Sequence, residues 1–492
     1  METLVNFIGG ASLLLNPQNI LLILAGMVSG LFFGAIPGMS GTMLVALILP
    51  FSYYLSPLQA LLLMGAIYVS STHGGATSAI LFNIPGSPEN AATAFDGYPL
   101  AQKGKAAKTL GLVIVCSGLG GALADLIAIF AAPAIADIAF SFGPPEIFAL
   151  VVFGLSTVVG VSRSSTTKAV IPALFGMLLA TVGAAPSTGT ARFTFGWGAL
   201  LGGIHFIPLL IGFFAVSEVL YRSEEIIGDK YISPSLSAEM PKFLDFISHK
   251  WNILRSTIIG LVAGALPGAG STIASFLSYN EAVRWSKDPD SFGKGNIEGV
   301  VAPETANNAA TSGAMVPLLV FGIPGGAITA VMLGVFEIHG IDPGPMLFQT
   351  QPDLVYAIFA GMLVADFLIF LVGAFEVRAV VHLLKIPYHY LGPVIFVLSI
   401  IGAFAIRNNM VDVWAALFGG ILGYAMKKYE YSIPALVLGV ILGPIAESSF
   451  MRAMITFNYQ PLRFFTRPIA AGLLIIAFLT LLFPMLKFLK KR

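Results

Sequence analysis

The chain has 492 residues, 57% of them hydrophobic and 10% charged, with 53 Gly, 30 Pro and a mean hydropathy of +0.88. A soluble domain carries about 25% charged residues, so this chain cannot cover a water-facing surface and reads as an all-α polytopic membrane protein. The 26 Lys+Arg and 25 Asp+Glu fall in short clusters between apolar runs, which argues against a nucleic-acid surface, and the single Cys116 excludes an intrachain disulfide or a cysteine metal cluster.

In chain order, apolar segments able to cross or fold back in a membrane lie around 17–36, 58–84, 110–140, 145–161, 169–183 and 196–220. No Lys or Arg precedes Lys103, so the basic start of a cleavable signal is missing and the first hydrophobic segment is expected to be retained. The polar stretch 221–250 follows, carrying Glu224, Glu225, Asp229, Lys230, Glu239, Lys242, Asp245 and Lys250. A second set of segments lies around 253–280, 300–333, 353–381, 390–406, 411–426, 432–446 and 468–489. The expectation is about ten to twelve crossings, organised as a first membrane repeat over 1–220, a linker over 221–250, and a second repeat with C-terminal helices over 251–492.

An internal repeat spans that linker. Gly30-Leu31-Phe32-Phe33-Gly34-Ala35-Ile36-Pro37-Gly38-Met39-Ser40-Gly41-Thr42 aligns with Gly260-Leu261-Val262-Ala263-Gly264-Ala265-Leu266-Pro267-Gly268-Ala269-Gly270-Ser271-Thr272, with seven of thirteen positions identical. Ala76-Thr77-Ser78 is echoed by Ala310-Thr311-Ser312, and Phe82-Asn83-Ile84-Pro85-Gly86 by Phe321-Gly322-Ile323-Pro324-Gly325. In the first copy the turn between blocks, 51–57, has no basic residue, and Lys103, Lys105 and Lys108 come after the Pro-Gly. The second copy exchanges this pattern: Arg284, Lys287 and Lys294 lie between its blocks, and 339–353 has none. With basic loops in the cytoplasm, the copies face opposite ways, as inverted-topology repeats do around a pseudo-two-fold axis in the membrane plane.

Pro37-Gly38 and Pro267-Gly268 should break their helices inside the membrane, where unpaired backbone survives only if protein or a water-filled cavity satisfies it. Ser40, Gly41 and Thr42 in one half, and Ser271 and Thr272 in the other, follow the breaks at positions where a helix restarts. The free N–H groups of such a start favour a carboxylate or phosphate. Thr72, Thr77, Ser78 and Asn83 on one side, and Asn307, Asn308, Thr311 and Ser312 on the other, add neutral donors at no charge-burial cost. The competing reading is packing, since Gly30-x-x-x-Gly34 and Gly260-x-x-x-Gly264 also permit close helix contact.

The run Gly74-Gly75-Ala76-Thr77-Ser78-Ala79-Ile80-Leu81-Phe82-Asn83-Ile84-Pro85-Gly86-Ser87-Pro88-Glu89-Asn90, continuing through Asp96-Gly97-Tyr98-Pro99 to Lys103-Gly104, resembles the signature of the large membrane subunit of the tripartite tricarboxylate transporters. Pro303-Glu304-Thr305-Ala306-Asn307-Asn308-Ala309-Ala310-Thr311-Ser312-Gly313 and Gly340-Ile341-Asp342-Pro343-Gly344-Pro345 resemble that family's other landmarks. The resemblance implies a bacterial inner-membrane system in which this subunit forms the translocation path, a small membrane subunit accompanies it, and a periplasmic substrate-binding protein delivers an organic carboxylate. It implies secondary uptake driven by Na+ or H+, with no organic cofactor; the chain has no Gly-x-x-x-x-Gly-Lys-[Ser/Thr] phosphate loop.

Among charges in apolar context, Glu89, Asp96 and Glu304 lie inside these motifs and, with Thr72, are candidates for the coupling ion; each also has a structural reading as a helix or turn stabiliser. Asp125, Asp137, Asp366, Glu376 and Glu447 show no evident repeat partner and rank below them. Gly38-Met39-Ser40-Gly41 matches the Gly-x-Ser-Gly of intramembrane serine proteases, with His73 or His205 as the base, but its counterpart shifts the serine by one position. A passive anion channel would use the same broken helices without a coupling ion. Packing is the expected role of His73, and no histidine spacing supports a zinc site.

Overall fold

The computed structural model describes residues 2–36, 39–161, 166–185, 188–224, 248–268, 270–383 and 388–489. Among the described residues almost all regular structure is helical; the exception there is the two-residue pair Gly183–Ala184 and Ala191–Arg192, which run antiparallel. Seven helices among the described residues are long and apolar enough to cross a membrane.

The chain forms two compact units. The first comprises Met1–Ile135, Glu225–Ala265 and Gly270–Gly392, and so holds most of both copies of the repeat. Its centre contains the helices Pro57–Phe82 and Glu298–Phe321, of 26 and 24 residues. At about 1.5 Å per residue each is longer than the ~30 Å hydrocarbon layer. They are not among the seven apolar helices, because their middles carry Ser70, Ser71, Thr72, His73, Thr77 and Ser78, and Glu304, Thr305, Asn307, Asn308, Thr311 and Ser312. Both are buried over nearly their whole length, so protein rather than lipid surrounds these polar groups.

Local chemistry sets the ends. Ser56 and Gln59 form a reciprocal capping box at the start of Pro57–Phe82, and Pro57 occupies the first turn, where its missing N–H costs nothing. Asn83 ends that helix in the left-handed region (φ 58°, ψ 26°), and Gly322 ends its counterpart in the same way (φ 67°, ψ 21°). The segments 253–280 and 300–333 are each split. The first becomes Lys250–Gly264 and Gly270–Trp285 around Pro267-Gly268, and the second becomes Glu298–Phe321 and Ala327–Ile338 around Gly322–Gly326. The N-terminal helix Glu2–Leu13 packs on Pro352–Leu383, with Gly10 against the Tyr356–Ala357 backbone.

The second unit comprises Ala136–Glu224, Leu266–Ala269 and Pro393–Arg492. Thr167–Ala180 crosses Ile433–Thr456 at Gly176 and Gly439, where each glycine meets the other helix's backbone. Phe148, Phe450, Phe457 and Phe464 form an aromatic cluster. Ion pairs close it: Arg192 Nη1 and Nη2 reach Glu447 at 2.7 and 3.1 Å, and Arg467 Nε reaches Glu146 at 3.0 Å.

Candidate functional site

The two copies build the same helix crossing, contact for contact. In the first, Pro17–Ala35 packs on Pro57–Phe82; in the second, Lys250–Gly264 packs on Glu298–Phe321. A Cβ placed on Gly34 would lie 2.9 Å from Ser71 Cα, and one on Gly264 would lie 2.7 Å from Ala310 Cα. A Cβ on Gly74 would lie 3.1 Å from Leu31 Cα, and one on Gly313 would lie 3.1 Å from Leu261 Cα. Ser71 and Ala310, like Gly74 and Gly313, stand equally far before the matched Phe82 and Phe321. In this register Ala310-Thr311-Ser312 does not align with Ala76-Thr77-Ser78, which corrects the echo read from the sequence, because a continuous helix has no room for extra residues between the two blocks. The small-residue pattern therefore does pack helices, as the competing reading held.

Between the copies the contacts are reciprocal. The restarted helix Gly41–Ile48 of the first copy packs on Ala327–Ile338 of the second. In turn, the restarted Gly270–Trp285 packs on Pro88–Asn90 and Ala91–Leu100 of the first, where Ser275 Oγ donates to the Glu89 carbonyl at 2.6 Å. Pro352–Leu383 packs on the first copy's Pro17–Ala35 and Pro57–Phe82. Ala106–Ala139 places Leu112 and Cys116 against the second copy's Ile253 and Val301. The loops are exchanged too: Lys103 Nζ donates to the Lys294 carbonyl (2.5 Å), and His339 Nε2 donates to the Ser52 carbonyl (3.2 Å).

A polar network occupies this meeting of the copies. Glu304 is fully buried, and its Oε1 accepts from Thr93 Oγ1, from Asn90 Nδ2 (3.3 Å) and from Asn307 Nδ2 (3.2 Å). The Asn90 amide also donates to the Thr72 carbonyl (2.9 Å), and its Oδ1 accepts from Ser87 Oγ (2.6 Å). Asn308 Nδ2 donates to the Val69 carbonyl at 3.3 Å. Glu304, Asn307 and Asn308 share one helix face through their i, i+3, i+4 spacing. Glu304 Oε2, Asn307 Oδ1 and Asn308 Oδ1 are buried oxygens without a hydrogen-bond partner among the described residues. Two unanswered amide oxygens beside a carboxylate with one unanswered oxygen of its own suit a small hard cation or a proton better than an anion.

The other candidates are placed as follows. Pro37 and Gly38 lie outside the described residues. Ser40 caps Gly41–Ile48, its Oγ accepting from Met43 N at 3.2 Å. Gly41 is buried against Ser71, and Thr42 is half-buried one position further on. Pro267 and Gly268 belong to the second compact unit, where the Pro267 carbonyl accepts from Thr157 Oγ1 (3.0 Å) and Gly268 adopts φ +108° against Val158. Ser271 Oγ lies 3.4 Å from Tyr68 Oη, and Thr272 is half-buried beside it.

The hydroxyls of Thr72, Ser78 and Thr311 donate to carbonyls of their own helices, Tyr68, Gly75 and Asn308. Thr77 lies beside Glu376, and Ser312 beside Asp125. Asn83 is exposed and serves as the left-handed cap. Glu89 is half-buried near Ser87. Asp96 accepts from Tyr279 Oη (2.9 Å), Gly295 N (2.8 Å) and Asn296 N (2.7 Å), which ties Ala91–Leu100 to the loop before Glu298.

Asn90 and Thr93, inside a quoted motif but not singled out as site residues, complete the Glu304 network. His73 has polar company: its Nδ1 lies 3.1 Å from Ser117 Oγ and its Nε2 lies 3.7 Å from Glu376. Its ring thus faces Ser117 and Glu376, while Ser40 Oγ accepts the cap hydrogen bond from Met43 N.

With this geometry in place, comparison with known proteins identifies the chain's relatives. The model of the Tripartite tricarboxylate transporter TctA family matches residues 20–438. The chain belongs to that family. It is 38% identical to an uncharacterized 52.8 kDa protein in the TAR-I ttuC' 3'region of Agrobacterium vitis, over 97% of this chain and 95% of the relative. It is 41% identical to an uncharacterized protein in the TAR-II ttuC' 3'region of the same organism, over 44% of this chain and 89% of the relative. No solved structure matches it. As a member of a membrane transporter family, the chain is a component of a tripartite system.

Proposed function

We propose that this chain is the large translocating subunit of a binding-protein-dependent secondary transporter in the bacterial inner membrane, importing tricarboxylates or related organic acids with a cation gradient. Its partners are a small membrane subunit and a periplasmic substrate-binding protein. Residues 1–220 and 251–492 are the two halves of the duplication, joined by 221–250, and the copies have inverted topology. Reciprocal packing supports a two-fold relation between the copies, since each element meets the other copy's partner element, and the exchange of basic residues between their loops supports its inversion. The equivalent positions Val69 and Asn308 touch each other, as positions on such an axis must.

The substrate anion is held by neutral donors at the restarted helices, from Ser40, Gly41 and Thr42 and from Ser271 and Thr272, whereas the hydroxyls of Ser78 and Thr311 are spent on their own helices. The coupling cation sits at Glu304, with the free oxygens of Asn307 and Asn308. An ionised carboxylate at mid-membrane costs about 2.5–3.5 kcal/mol on insertion scales, a cost that a bound cation offsets.

The decisive experiment reconstitutes this chain with its small partner in proteoliposomes and offers a panel of labelled di- and tricarboxylates, with and without the binding protein, under imposed sodium or proton gradients. Saturable, gradient-driven uptake that requires the binding protein supports the carrier. Uptake indifferent to gradient and binding protein would instead make it a passive channel.

A further inference from the structure

Asp125 and Asp366 are fully buried in the first compact unit, on Ala106–Ala139 and Pro352–Leu383. Asp125 lies against both Asp366 and the Ser312 hydroxyl of Glu298–Phe321. All four carboxylate oxygens and Ser312 Oγ are shut off from solvent and lack a hydrogen-bond partner among the described residues. The two helices touch here: a Cβ on Gly118 would come 2.9 Å from the Asp366 carbonyl, and one on Gly121 would overlap the Asp366 carboxylate. The bare Gly121 backbone is what gives that carboxylate its space.

The sequence gives the pair a second meaning. Ala124-Asp125 and Ala365-Asp366 stand at nearly the same distance beyond the matched Ile-Pro-Gly turns, on helices that occupy the same place in the two copies. The spacings differ by two residues, so the sequence alone does not pair them. On the duplicated reading above, their meeting in space, like that of Val69 and Asn308, places the pair at the internal pseudo-two-fold axis.

Two carboxylates packed against each other in a dry interior cannot both be ionised; one proton held between them relieves the repulsion. Direct carboxyl-on-carboxyl packing suits a proton, whereas a hard metal cation needs several oxygens spread around it. Of the other buried titratable groups on these and neighbouring helices, Glu304 bonds Asn90, Thr93 and Asn307, His73 lies between Ser117 and Glu376, and Cys116 lies beside Thr305; Lys108, Asp137, Glu298, Asp353 and Tyr356 also lie on the packed helices. We propose that Asp125 and Asp366, with Ser312 as hydroxyl partner, form a proton-binding site on the internal axis, distinct from the Glu304 site, that loads and releases a proton during transport. The proton passes from water to a carboxylate oxygen and returns to water, and no covalent bond changes. Its movement with substrate rests on the carrier reading above; its binding by the pair does not.

Infrared difference spectra of the full-length chain between neutral and acidic buffer test the binding directly. Wild type should show a protonated-carboxyl band that is lost in Asp125→Asn and in Asp366→Asn, persists in Glu304→Gln, and shifts its midpoint in Ser312→Ala. Ser312→Ala, which removes one hydroxyl without altering the pair, keeps the test open if either asparagine variant fails to fold. A band that none of these changes moves would overturn the site. In proteoliposomes, a pH dye should report proton entry during uptake of the carboxylate panel, lost in Asp366→Asn while substrate exchange persists. Uptake in wild type without proton entry would overturn the transport step. If no acid moves at all, the carrier reading fails, and the infrared titration still decides the proton site.

Discussion

Glu304 is the side chain whose removal should separate architecture from function most cleanly. Replacing it with alanine orphans Thr93 Oγ1 and the Asn307 amide, both fully buried, while the Asn90 amide keeps the Thr72 carbonyl. Each buried polar group left without a partner costs about 1–3 kcal/mol. The two together cost about 2–6 kcal/mol before any cavity term, against a typical total stability of ~5–15 kcal/mol. Glu304→Ala should therefore unfold at clearly lower temperature in detergent, or fail to accumulate. Glu304→Gln preserves the shape and an accepting oxygen, so it should stay within about 1 kcal/mol of wild type. It nevertheless removes the charge that would attract a coupling cation. Thermal unfolding of the purified chain, paired with gradient-driven uptake in proteoliposomes, reads both effects. An alanine variant as stable as wild type would refute the network as an architectural element. A glutamine variant with wild-type gradient dependence would refute Glu304 as the cation site.

Other outcomes follow from the duplication. Thr42→Val and Thr272→Val should each impair uptake with folding intact, as judged by monodisperse size-exclusion profiles; wild-type uptake in both would sink the two-half-site arrangement. Single cysteines at Ser56 and Gln349 should label from the periplasm, and those at Gly104 and Ser291 from the cytoplasm, with the buried Cys116 unreactive. Labelling of Ser56 and Ser291 from one side would refute inversion. Because Asn83 and Gly322 play the same left-handed cap, Gly322→Asn should be tolerated, whereas Gly322→Ala should cost about 1–2 kcal/mol in thermal unfolding. Equal loss from both would argue against the shared cap.

The breaks were legible in the sequence because proline and glycine act locally: Pro267-Gly268 ends one helix and frees another to start at Gly270 whatever surrounds them. The αL cap at Gly322 is local in the same sense. The short helices Glu2–Leu13 and Ala91–Leu100 escaped because neither is long enough to register as a membrane span.

What the sequence by itself determined is the membrane class, the break at Pro267-Gly268 and the family. These rest on composition, local backbone chemistry and order along the chain, all of which survive without knowledge of long-range contacts. Tertiary structure alone decided which polar groups are engaged. Asp96 and Glu304 look alike as acids in a motif, yet Asp96 is answered by three donors distant in sequence, Tyr279 on a helix and Gly295 and Asn296 in a loop, while Glu304 keeps one oxygen free. Asp125 and Asp366 stand far apart in the chain and become a pair only where two helices close on a glycine. The physical reason is that a buried carboxylate's state depends on the few atoms packed against it, and those atoms come from segments that sequence order does not bring together.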